Sequence, residues 1–434
     1  VPEPVLRVAD DPLQRLGGLS VRGMKLGLSV VSELLSRLSL APAAVPRALV
    51  AGTNGKGSVA ATLSAIFRAA GVRCGLHTSP HLLDVTERVR IDDEDVSAAR
   101  MSQALAAVFQ AADRAPALPV TYFEAVTAAA EWVFREEQCR FAVVEVGLGG
   151  RLDATNALDP ELAVVASIGL DHVADLGGTA EQIAREKAGI FRRGRPALCG
   201  PVGPSVARVL AEEARRKGAE IRFSADSARV GQSRGGGRRQ EFALETELGR
   251  YELSTPLLGR HQAENVAVAV LAAEILARRA PEISAGAIAA GVGATRWPGR
   301  LERFQAGRRA VWLDGCHNAP GAEAIGRFLA DRPEGYDLLF GAMADKDVEA
   351  IVGPIAARAR RVVLACPLVD RAAPTAELRA RLARLERPLE EARSVAAGLD
   401  GLLAEPDGGD IVVAGSLYVV GEARGELLRR GARS

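Results

Sequence analysis

Short, nearly unbroken apolar runs recur along the chain, and most are followed by a turn and then a stretch with helical spacing. The runs at 48–51, 72–76 and 141–146, and the one in ELAVVASIGL, have the length and composition of strands buried on both faces. Apolar or small residues at helical spacing over 59–70, 97–113, 122–137 and 203–219, and from about His261 onward, predict helices. Strand and helix alternate, so the predicted fold class is α/β with a mainly parallel sheet. Ahead of this, residues 1–46 are expected to open as Pro-rich extended chain. They should end in an amphipathic helix within RGMKLGLSVVSELLSRLSL, with Lys25 at its start. Residues 220–254 read as a small β-rich excursion with GQSRGGGRR as an exposed tip.

Pro298 and Gly299 break the pattern, and a fresh alternation begins. VWLDGCH, YDLLFGAM, RVVLAC and DIVVAGS are predicted strands, with helices near 320–331, 347–360 and on to about 405. The predicted division is an N-terminal domain over 1–297 and a smaller C-terminal α/β domain over 298–434.

Composition narrows the function classes. The chain has 434 residues, enough for two or three cores, and 48% hydrophobic with 25% charged residues is ordinary for a globular protein. A net charge of +1 argues against a nucleic-acid partner held by bulk electrostatics. No apolar run reaches the ~18–20 residues of a membrane span, and no leader pattern opens the chain, so no membrane partner is expected. Five scattered cysteines fit reduced thiols and a cytoplasmic location. Only five of the 55 basic residues are Lys, so each Lys is expected where a compact ammonium or a reactive amine is required.

The chemistry starts at AGTNGKGS. A strand, a glycine-rich turn (Gly52, Thr53, Asn54, Gly55) and a helix N-terminus (Lys56, Gly57, Ser58) form a cradle for a nucleotide's phosphates. Lys56 supplies the cation and the Ser58 hydroxyl can ligate Mg²⁺. The match to the common phosphate loop is imperfect: Val50 replaces its first Gly, and Gly57 separates Lys56 from Ser58. Ser79, in a Ser-Pro turn after the second strand, can ligate a metal or simply shape the turn. Glu145 closes a buried strand, where a carboxylate needs a metal or a base. His172 follows the next strand as a candidate ligand for a second ion. Lys187 sits among small apolar residues; either it neutralises phosphate, or its amine takes up CO₂ as a carbamate and becomes a carboxylate ligand. Asn265, near a helix start, reads as a base contact or a cap.

Together RGMKLGL, GTNGKGS, TSPHL, TERVRI, TYFEAVTAAA, EVGLGGRLDATN, LDH, LGGTAEQIAREKAGI, GRHQAENVAVA, WPGRLE, DGCHN and GAMADKD, with GSLYVVGEAR near the end, resemble, in order, the ATP-dependent Mur-type amide ligases. The likeness is strongest to the folylpolyglutamate synthase/dihydrofolate synthase family and spans 22–423. It departs at DGCHN, followed by Ala319, where the family has DGAHNP. The resemblance implies ATP bound between a phosphate-loop domain and a Rossmann-like C-terminal domain. It implies Lys56 and Ser58 on the phosphates, Ser79 and Glu145 on one Mg²⁺, and His172 with a carbamylated Lys187 around a second, with K⁺ as a further ion. Asn265, Arg300, Asp314 and His317 are implied at the nucleotide or the reacting end, and Thr121, Phe123 and Asp153 at the pteroate. Glutamate would be joined to dihydropteroate or to the γ-carboxylate of tetrahydrofolate through an acyl phosphate, by a monomer.

Two rivals are weighed. A Mur ligase acting on UDP-linked peptides would need a further N-terminal domain before the loop, which this chain is not expected to have. A nucleotide switch needs no second cluster at Glu145, His172 and Lys187, and no guanine-reading N-K-x-D follows the loop.

Overall fold

The computed structural model describes residues 11–19, 27–41, 45–235, 237–330, 335–405 and 409–433. Lys25 and the first ten residues lie outside these. Six parallel strands form the first sheet, in the spatial order Cys74–His77, Phe141–Glu145, Arg47–Ala51, Leu162–Val165, Pro196–Cys199 and Glu220–Phe223. Val89–Ile91 and Glu94–Asp95 extend it in antiparallel fashion beside Cys74–His77. Leu49 and Ala51 point into one core, Ala48 and Val50 into the other, so helices must cover both faces. Ala98–Asp113, Tyr122–Glu136 and Pro204–Lys217 cover the first face; Lys56–Ala69 and Arg260–Leu276 cover the second.

The second sheet is built wholly from residues after 301. Its order is Glu302–Ala306, Arg309–Asp314, Asp410–Ala414, Tyr336–Phe340, Ala359–Leu364, Leu389–Glu391. All neighbours are parallel except the first pair. A third, small antiparallel sheet comprises Ala228–Val230, Arg234–Gly235, Gln240–Thr246 and Arg250–Thr255.

Three local expectations need correction. Pro12–Leu19 is a helix, not extended chain; Pro is tolerated at a first helical position, Asp11 accepts a hydrogen bond from the Leu13 N–H, and Leu16 and Leu19 are buried. Glu220–Phe223 belongs to the main sheet, as its parallel edge, and only the residues from Ala228 form the separate β excursion. LERFQA adds an antiparallel strand ahead of the predicted parallel ones, because a two-residue turn at 307–308 folds it back on Arg309–Asp314.

Candidate active site at the facing strand ends

Loops from the carboxyl ends of both sheets meet across a cleft, the place where open α/β sheets hold ligands. Leu82, in the loop after Cys74–His77, packs against the core of the second sheet. Pro320 lies over Gly169 from the other side.

The phosphate loop is braced on all sides by neighbouring segments. Gly55 has φ 80°, and a Cβ there would stand 2.3 Å from the Asn265 Oδ1, so both conformation and space demand glycine. Asn265 therefore presses its amide on the turn, and its Nδ2 donates to Gln262 Oε1. The segment after Leu162–Val165 braces the turn. Thr53 Oγ1 exchanges hydrogen bonds with the backbone of Gly169, and the Ser167 hydroxyl accepts from the Asn54 N–H and donates to the Asn54 carbonyl. Trp297 covers Gly57: a Cβ on that residue would meet the indole at 2.4 Å.

Two lysines converge on one carbonyl. Lys56 Nζ donates to Gly52 O at 3.1 Å, and Lys187 Nζ reaches the same oxygen at 3.0 Å. Burial, aided by the Lys56 charge, lowers the Lys187 pKa to about 7. Lys187 ends the helix Ala180–Lys187, and its place is fixed where the turn Ala188–Ile190 fits against Arg151. Gly189 lies so near Arg151 that a Cβ would fall 2.3 Å from its Cα, while Lys217 Nζ and the Arg192 guanidinium hold the carbonyls after Lys187. Arg151 itself is ion-paired with Glu186 at 2.9 Å.

Register sets Glu145 beside Val50, one strand from the loop. Burial raises its pKa, opposed by Lys56, by the Ser79 N–H that donates to Oε2 at 3.2 Å, and by Arg300 and Arg88. The Ser58 hydroxyl is buried with no hydrogen-bond partner. A buried unsatisfied hydroxyl is costly unless something else completes it. Ser58, Ser79, Glu145, Lys56 and Lys187 thus share one neighbourhood. Among the described residues no group of three His, Cys, Asp or Glu could hold a metal alone. Hydroxyl and carboxylate oxygens beside a phosphate cradle suit a hard divalent ion that completes its shell with phosphate oxygens.

The segments expected at the pteroate lie together, but their polar atoms are largely engaged. Phe123 packs over Gly147, next to the Asp153 carboxylate. Asp153 accepts from the N–H groups of Leu148 and Thr155 and from the Thr155 hydroxyl. Thr121 caps the helix Tyr122–Glu136 in a reciprocal box with Glu124.

Across the cleft stand Arg300, Asp314 and His317. Asp314 is buried, which raises its pKa against the pull of Arg300, and both its oxygens accept backbone N–H groups, from Leu301 and Cys316. His317 Nδ1 faces the Gly315 carbonyl at 2.9 Å, so that nitrogen carries the hydrogen. His172 has left-handed backbone geometry at φ 49°, with its side chain 40% exposed.

Sequence reasoning gave no role to Asn318 or Lys346 and passed over Arg88. Their only signals were the scarcity of Lys and the quoted motifs that contain them. Lys346 and Asn318 both reach Asp171. Burial tends to raise the Asp171 pKa, but His317, Lys346 and Asn318 outweigh it and hold the carboxyl well below its usual range. Arg88, half-buried, donates to His81 Nδ1 and lies over the Tyr122 ring.

Residues 50–273 match the Mur ligase middle domain family, and 299–417 the Mur ligase glutamate ligase domain. A probable bifunctional folylpolyglutamate synthase/dihydropteroate synthase of Haloferax volcanii is 38% identical across 92% of this chain, which spans 48% of that longer protein. The folylpolyglutamate synthase of Lacticaseibacillus casei is 35% identical, over 87% of this chain and 89% of its own length. Escherichia coli FolC in complex with DHPP and ADP superposes with a TM-score of 0.87 at 31% identity, covering 98% of this chain and all of that one. A bifunctional folylpolyglutamate synthase/dihydrofolate synthase with Mn, AMPPNP and L-glutamate bound gives 0.83 at 31% identity, over 97% and 98% of the two chains. The chain belongs to the folylpolyglutamate synthase/dihydrofolate synthase family of the Mur ligases, ATP-dependent enzymes that ligate glutamate.

Proposed function

We propose that this chain joins L-glutamate to a pteroate or folate carboxylate at the expense of ATP. The observation that carries the reading is the convergence of Lys56, Lys187, the unpaired Ser58 hydroxyl and Glu145 around the Gly52 turn, opposite Arg300 and His317. ATP supplies the phosphoryl group that makes the carboxylate an acyl phosphate, and a divalent ion neutralises its charge. Lys56 and Arg300 neutralise the phosphates from either side of the cleft. The loop N–H groups and Asn265 hold the nucleotide; Asp314 shapes the Arg300 turn, and His317 orients the incoming amine. Ser58, Ser79 and Glu145 would offer oxygens to one Mg²⁺, and the His172 imidazole, with Lys187 once carbamylated, would hold a second. Phe123, Thr121 and Asp153 shape the wall where the pterin-bearing acid lies. Residues 1–297 act as the nucleotide domain and 298–434 as its Rossmann-like partner, supported by a second sheet drawn entirely from the later residues.

Lys187 acts as a carbamate. Two ammonium groups on one carbonyl repel; the neutral amine adds CO₂ and releases one proton, giving a carboxylate that attracts Lys56 and a metal. Labelled bicarbonate should give a carbamate carbon signal that Lys187→Arg lacks. A cytoplasmic setting fits the five free cysteines, four of them buried; among the described residues no helix is long and apolar enough to cross a membrane.

Phosphate release from ATP tests the ligase reading. Release that requires both glutamate and dihydropteroate or tetrahydrofolate, with products heavier by one glutamate residue, supports it. Release driven by UDP-muramoyl substrates, or independent of any acceptor, overturns it.

A further inference from the structure

One carboxylate collects donors from the opposite side of the cleft. Asp171 stands on the loop after Leu162–Val165, in the first sheet's unit. Its Oδ1 accepts from Lys346 Nζ at 2.7 Å and its Oδ2 from Asn318 Nδ2 at 2.9 Å, with His317 Nε2 at 3.4 Å. Lys346, Asn318 and His317 all belong to the second sheet's unit. Asn318 also faces Asn54 in the phosphate loop, and the two amides exchange hydrogen bonds of 3.0 and 3.1 Å.

The donors are themselves fixed. Asn318 Oδ1 accepts the Gly321 N–H in the helix Ala319–Ala330, and Arg381 Nη2 grips the Lys346 carbonyl at 2.6 Å. The Asp171 and Lys346 side chains are only 9% and 13% exposed, so the contact is shielded from solvent and worth more than a surface ion pair. A reciprocal amide pair forms at one relative placement of its two backbones and is lost within about an ångström of it. The network therefore measures whether the two units are in register.

We propose that Asp171 and Asn318 are positioning residues. They lock the second unit onto the phosphate loop, fix the distance from Lys56 to His317 and Arg300, and release it when the cleft opens for exchange. This rests on the ligase reading, but its test separates the two: wild-type turnover tests the chemistry, and the variants test the lock.

Spin labels on cysteines replacing two exposed leucines, Leu248 (71% exposed) and Leu368 (86%), in a Cys366→Ser background that removes the half-buried native thiol, report the distance between the units. The variants are Asp171→Asn and Asn318→Ala, alone and together; Asp171→Asn sets an NH₂ donor against either Asn318 or Lys346, both donors, and so breaks the match. In the wild type with MgATP and folate substrate one narrow distance population is expected. The double variant should broaden it while melting within a few degrees of wild type, and kcat should fall about tenfold or more. Asp171→Glu should recover part of both. An unchanged distance population, or a changed one with wild-type kcat, would overturn the proposal.

Discussion

The Ser58 hydroxyl separates a structural role from a functional one with a single atom. It is buried and unpartnered, so Ser58→Ala removes an unsatisfied group and leaves the unliganded protein at least as stable. Affinity for MgATP should fall about tenfold or more, ~1.4 kcal/mol, while affinity for metal-free ATP stays near wild type. Calorimetry with and without Mg²⁺ reads both. His77 offers a pH test. It is buried, its Nδ1 faces the Arg88 carbonyl, and burial lowers its pKa from 6.5 to about 4. The unfolded chain therefore binds a proton that the folded one refuses, and stability falls as pH drops from 6.5 toward 4, with about 2 kcal/mol lost by pH 5. Urea unfolding at pH 7.5 and 5 should show a smaller acid loss in His77→Gln than in wild type. At this scale the loop residues were legible because the phosphate cradle has a fixed residue order. Asn318 was not: an amide becomes a latch only through a partner 264 positions away.

Elements were legible where periodicity was strong. The buried strands and the helices Ala98–Asp113 and Tyr122–Glu136 follow from their patterns, since strands covered on both faces must be apolar throughout. The amino-terminal helix Pro12–Leu19 was not, because Pro2, Pro4 and Pro12 suggested extended chain and its helicity depends on docking Leu16 and Leu19. The fit of Gly189 against Arg151 is likewise invisible in sequence, and it carries a prediction. Gly189→Ala forces a Cβ to within 2.3 Å of backbone that cannot yield cheaply. A stability loss of ~1–3 kcal/mol is expected. Turnover should fall further than the small unfolded fraction explains, because the end of the helix Ala180–Lys187 shifts. Thermal unfolding and kcat of the same preparation check it.

At the scale of the molecule, two sheets present their strand ends to one cleft, and Trp297 lies where the chain passes from one to the other. Its indole rests on Gly57 in the phosphate loop, with the Arg90 guanidinium 5.4 Å from the ring. Nucleotide binding should therefore change its emission, and Trp297→Phe should remove most of that change although Trp132 and Trp312 remain. Alternation of strand and helix made this two-sheet plan readable, but the contacts between the sheets were not, since they join segments with no local pattern in common. The lysines draw a last consequence. Among the described residues the four lysines, Lys56, Lys187, Lys217 and Lys346, each donate to an oxygen of the cleft or its wall, and the other basic side chains are arginines. Amine-directed acylating reagents, which on most proteins decorate the exterior indiscriminately, would here become probes of the catalytic interior. Coupling this protein to a solid support through these four amines would inactivate it, and bound nucleotide would shield Lys56 from the reagent.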